Sequence, residues 1–86
     1  MPRYYFDIRE GARFTPGDEG LEFPDLKAAE QEAREAAASI AQHLLPKGDL
    51  PEVTLELRNE HGQRVLTVTV TMRVDRLVPA PTALTQ

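Results

Sequence analysis

The stretch Asp25–Leu45, DLKAAEQEAREAAASIAQHLL, constrains the fold more than any other, because it alone is long and periodic enough to be a complete helix. At 100° per residue, Leu26, Ala29, Ala33, Ala36, Ala37, Ile40, Ala41 and Leu44 fall in one broad arc. Lys27, Gln31, Glu35, Ser39 and Gln42 lie opposite. Asp25 is placed as N-cap, since its carboxylate can accept from the free amides of the first turn, and Pro46 is expected to end the helix. Glu30 and Arg34 stand at i,i+4 with the acid first, the favourable order, worth about 0.2–0.5 kcal/mol when exposed. Seven alanines make the apolar arc thin. A thin arc predicts close approach to a sheet or, in the rival reading, to the same helix of a second protomer.

Around the helix the sequence reads as short strands and turns. Residues 3–9 alternate, with Tyr4, Phe6 and Ile8 on one face and Tyr5, Asp7 and Arg9 on the other. Glu10-Gly11-Ala12 is a turn before a short return strand, Arg13-Phe14-Thr15, and Pro16 to Gly20 then breaks regular structure. Leu21 and Phe23 flank Glu22 in a brief extended piece and are expected to tuck under the helix start. After the loop from Lys47 to Pro51, residues 52–58 alternate again, with Val53, Leu55 and Leu57 on one side. Asn59 to Gln63 supplies hairpin turn residues, with Gly62 placed at positive φ. Residues 64–74 form the last strand, presenting Leu66, Val68, Val70 and Met72 on one face and Val65, Thr67, Thr69, Thr71 and Arg73 on the other. The expected fold is α+β, a single domain over residues 1–77 with a four-stranded antiparallel β-β-α-β-β sheet and one helix on one face. Residues 78–86, with two prolines and no periodicity, are expected to be a disordered tail.

One helix covers one face, so the other face should expose Tyr5, Asp7, Arg9, Thr54, Glu56, Arg58, Thr67, Thr69, Thr71 and Arg73. Such a face is ordinarily solvated, its cross-strand pairs adding a little stability. The rival reading is a dimer or partner surface, using this face or an edge strand. The candidate interaction face is therefore Tyr5, Arg9, Arg58, Thr67, Thr69, Thr71 and Arg73.

Composition narrows the chemistry. Among 86 residues there is no cysteine, which removes disulfides, thiolate catalysis and Cys-ligated zinc. His43 and His61 have no second histidine at i+3 or i+4, and Asp18, Glu19 and Glu22 do not match a calcium-loop spacing. No nucleophile with a base and no phosphate-cradling glycine loop is found, so no catalytic residue, metal or cofactor is assigned. The net charge is −4, with six basic and eleven acidic residues in positions 1–52. Nucleic-acid affinity rests on clustered Lys and Arg, and this balance disfavours it. MPRYYFDIRE holds no apolar signal core, and no run of about 18 apolar residues could span a bilayer. A cytoplasmic protein is expected. A chain of this length buries roughly 60% of its unfolded surface, so dimerisation would add stability.

Three segments, MPRYYFDIREG, DEGLEFPDLKAAEQEA and the hairpin ELRNEHGQRVLTVTV, carry a resemblance. The chain resembles a family of short uncharacterised alphaproteobacterial proteins that start MP-R/K-Y-Y/F-F, pass through a D-x-E-G-x-E-x-PDL segment into an Ala- and Glu-rich helix, and close with a D-x-x-G hairpin. The resemblance covers about residues 1–77. It implies a small stand-alone α+β domain of unknown function and brings no site residues. Glu22-Phe23-Pro24-Asp25-Leu26 and AAEQEAREA are also similar to the N-terminal domain of HicB-type antitoxins, although those proteins insert a loop where Asp25 here caps the helix directly. The functional expectation is a small non-enzymatic protein-interaction module, homodimeric or bound to an unidentified protein partner; the alternative is an antitoxin-like or nucleic-acid-associated regulator.

Overall fold

In the computed structural model, which describes residues 1–78, α1 runs Leu26–Leu44 and lies across one face of an antiparallel sheet. The strands are β1 (Arg3–Glu10), β2 (Arg13–Thr15), β3 (Leu21–Glu22), β4 (Glu52–Asn59) and β5 (Arg64–Thr71). Their order is β2-β1-β4-β5, with β3 pairing the other end of β1 beyond β2. The β-β-α-β-β plan therefore stands, with Leu21–Glu22 adding a fifth strand. Of the expected tail only Val78 is described; residues 79–86 lie outside the described residues.

Asp25 caps α1 as its chemistry requires: it sits in extended backbone and its Oδ1 accepts from the Ala28 amide at 2.9 Å. Arg34 meets Glu30 at 2.8 Å. The α-helix ends before Pro46 as expected, with Leu45 as its C-cap, but the chain winds on. A 3₁₀ turn, Leu45–Lys47, carries Pro46 in its first positions, where no amide hydrogen is needed, and Gly48 ends it at φ 84°.

The helix meets the sheet along a four-residue row. Ala29 packs with Tyr4 and Leu57, Ala33 and Ala37 with Leu55, and Ala41 and Leu45 with Val53. As the helix numbers rise the β4 numbers fall, so α1 runs antiparallel to β4, lying over β4 and β5. Ala29, Ala33, Ala37, Val53 and Leu57 are all fully enclosed. Phe6, Ile8, Ile40, Val68 and Val70 fill the flanks, and Phe23 closes one end, stacked on Phe6 with ring centroids 6.0 Å apart.

Three expected core positions are corrected. Leu26 is 40% exposed because it lies a turn before the seam, which begins at Ala29. Leu21 is half exposed, since its strand pairs at the sheet margin opposite Tyr4 instead of passing beneath the helix. Met72 is exposed, and β5 ends at Thr71 rather than residue 74 because its partner β4 begins at Glu52, directly opposite Thr71. The hairpin follows its turn residues: Asn59 Oδ1 accepts from the His61 and Gln63 amides, both at 2.9 Å, and Gly62 takes φ 80°.

Enlarging the seam should be costly. Ala33→Leu is expected to lower stability by about 1–3 kcal/mol through overpacking. Ala37→Asp, which buries an unpaired charge, should cost on the order of 4 kcal/mol. Denaturant titration checks both. A wild-type midpoint for Ala37→Asp would place this face in solvent.

Candidate interaction site

The sheet face away from the helix is built by the second parity of each strand. Because β1 and β4 are neighbours, Tyr5 stands opposite Arg58, Asp7 opposite Glu56 and Arg9 opposite Thr54. Two carboxylates directly across a strand pair repel, and both are buried: Asp7 is 4% and Glu56 6% exposed. The expectation that this face is simply solvated is corrected at these two positions. Arginines and a loop backbone cover them.

Arg58 provides most of the compensation at Asp7. Its Nε donates to Asp7 Oδ2 at 2.7 Å and its Nη2 to Asp7 Oδ1 at 3.1 Å, the two-pronged geometry that a guanidinium offers a carboxylate. The Gly17 amide donates to Asp7 Oδ1 at 2.8 Å, while the Gly17 carbonyl accepts from Arg58 Nη2 at 3.0 Å. The guanidinium also lies over the Tyr5 ring, 5.0 Å from its centroid. Gly17 is required here: a Cβ would come within 2.2 Å of the Phe6 carbonyl oxygen, so only glycine lets the loop press against β1.

At Glu56 the cover is looser. Arg9 Nε donates to Oε2 at 3.3 Å, and Arg64 Nη2 lies 3.0 Å from Oε1 without an aligned hydrogen bond. Arg9 also covers Phe14 at 4.7 Å. Phe14, Arg9, Glu56 and Arg64 thus form a chain across β2, β1, β4 and β5. Arg64 reaches it because of a register shift: Leu57 faces Leu66 but Arg58 faces Arg64, leaving Val65 as the extra residue.

Of the sequence-derived residues, Tyr5, Arg9 and Arg58 come together in this network. Thr67, Thr69 and Thr71 instead form an exposed row along β5, with Thr69 and Thr54 sharing a 2.9 Å hydrogen bond. Arg73 lies past the end of β5 and pairs with Asp75 at 2.9 Å. Asp7, Glu56, Arg64 and Gly17 were not among the expected site residues. Alternation put Asp7 and Glu56 on this face, but only the pairing of β1 with β4 sets them opposite each other. Among the described residues no group of three or more His, Cys, Asp or Glu could hold a metal ion.

Burial by itself pushes the Asp7 carboxyl up, but hydrogen bonds from Arg58 and Gly17 and the charges of Arg58 and Arg64 together hold it below its ordinary value. A carboxyl lowered in the folded state contributes stability that is present above the unfolded pKa of about 4 and is lost as pH falls through the folded value. Stability should therefore decline in acid below about pH 4, with a shallower decline in Asp7→Asn, as measured by denaturant midpoints across pH. Arg58→Met should cost about 1–3 kcal/mol at neutral pH by leaving a buried acceptor short of donors.

Comparison with curated proteins and with solved structures gave no match. Residues 3–71 match a family model, and with that span covering all five strands and α1, the chain belongs to the family described as a domain of unknown function, DUF6894.

Proposed function

We propose that this chain is a small non-enzymatic protein-interaction module that binds by adding a strand along the outer edge of β5, which pairs with no further strand among the described residues. The observation that carries this reading is the contrast between the two edges of the sheet. One edge is broken: β2 and β3 have three and two residues, separated by the Pro16–Gly20 loop, and the margin bears Arg13, Asp18, Glu19 and Glu22. Short, interrupted, charged edges resist pairing. β5 is the opposite kind of edge. Its bulge lies at its start, and Leu66 to Thr71 continues in regular register with no charge, proline or glycine. Backbone amides and carbonyls along such an edge give affinity to an incoming strand, while alternate side chains give specificity.

The regulator reading draws less support. Arg9, Arg58 and Arg64 each meet a carboxylate, and Tyr5 is covered by Arg58, so among the described residues the outer face offers neither a free basic patch nor an open stacking ring. Affinity purification of a tagged chain from its native cell, followed by mass spectrometry, should recover a protein bound by the wild type and lost on Thr69→Lys, which sets a charge at mid-edge. Salt-sensitive RNA or DNA binding at low salt, lost on changing Tyr5, Arg58 or Arg73, would favour the regulator instead.

A further inference from the structure

Resting on the strand-addition reading, we propose that the occupant of the β5 edge is a second copy of this chain, paired antiparallel through β5 about a two-fold axis perpendicular to the sheet. In that arrangement two five-stranded sheets join into one continuous sheet with both helices on the same side.

Charge is the first reason. The chain carries 24 Asp, Glu, Lys and Arg among 86 residues and a net charge of −4, so a copy can approach only where like charges are scarce. The broken edge is charged, and the middle of the outer face holds the arginine–carboxylate network. From Val65 to Thr71 β5 has no charge. Beside it, on the helix side, lies an uncharged groove of about 260 Å³ lined by Ala38, Ala41, Gln42, Leu45, Pro46, Val70, Thr71 and Met72. The neutral strip and the neutral groove are contiguous, since both include Val70 and Thr71. A partner chosen for opposite charge would find nothing to pair with here, whereas a second neutral edge meets no repulsion.

Self-complementarity is the second reason. A two-fold perpendicular to the sheet pairs residues of the same parity, so threonine faces threonine on the outer side and Leu66, Val68 and Val70 face aliphatic residues on the helix side. The chain already uses that match between β4 and β5, where Thr54 bonds Thr69 and Leu55 faces Val68. Strand pairing alone buries a narrow strip. The exposed Met72 and Ala38 beside it widen the contact toward the ~1,000 Å² that a stable interface needs.

Light scattering over a micromolar concentration series should give twice the 9.6 kDa chain mass. Thr69→Lys and Met72→Glu, both at exposed positions, should each weaken the dimer at least tenfold with unchanged far-ultraviolet circular dichroism. Glu22→Lys, on the broken edge, should leave it intact. In hydrogen exchange, β5 amides directed away from β4 should be protected in the dimer and lose that protection on dilution. A monomeric wild type would overturn the proposal, as would a dimer that both β5-side variants leave unchanged. If the wild type is monomeric yet captures a cellular protein that Thr69→Lys loses, the second-copy inference fails and the strand-addition reading stands. If neither occurs, both fail.

Discussion

Four alanines, Ala29, Ala33, Ala37 and Ala41, let the α1 backbone settle onto Val53, Leu55 and Leu57 of β4, and the remaining structure is arranged about that contact. With no long side chains in the row, the helix cannot stand off, and larger residues are displaced to the flanks. Ile40, Phe6, Ile8, Val68 and Val70 seal the sides of the seam. Phe23, delivered by the segment that precedes the helix, closes the end near Tyr4. A domain this small has one thin core, so close packing over a few residues takes the place that volume has in larger proteins.

The opposite face depends on charge where the inner face depends on shape. Asp7 and Glu56 are forced together by the pairing of β1 with β4, and the repulsion is relieved by arginines from three strands and a loop amide. Asp7 and Arg58 hold the Pro16–Gly20 loop on the sheet through both backbone groups of Gly17. That loop is what divides β2 from β3, so the same ion pair that balances a buried carboxylate also keeps one sheet edge broken. The asymmetry of the two edges, from which the proposed binding mode follows, thus has a cause in the outer face.

Local chemistry made much of this legible in advance. The Asp25 cap, the Gly62 turn and the two faces of β1 and β4 each follow from a few neighbouring residues. Leu26, Leu21 and Met72 depart from the expected core because periodicity gives a direction in an ideal helix or strand but not where the opposing surface ends. Pro46 ends the α-helix as expected because proline cannot continue a helix interior, yet in the first positions of a new 3₁₀ turn its missing amide hydrogen costs nothing, so the chain winds on to Lys47.

By itself the sequence determined the main element types, the alanine face of α1, the sides of β1, β4 and β5 that face it and the family resemblance, since all of these rest on patterns only a few residues long. Tertiary structure decided which strands are neighbours, and hence that Asp7 meets Glu56, that Arg64 joins them across a bulge, and that β5 is left as an unbroken edge. The first depends on register between segments some fifty residues apart, such as Asp7 and Arg58, and the second on a register shift inside the β4–β5 hairpin. No local periodicity encodes them, because a strand's alternation is satisfied equally by any neighbour that keeps its apolar side on the helix.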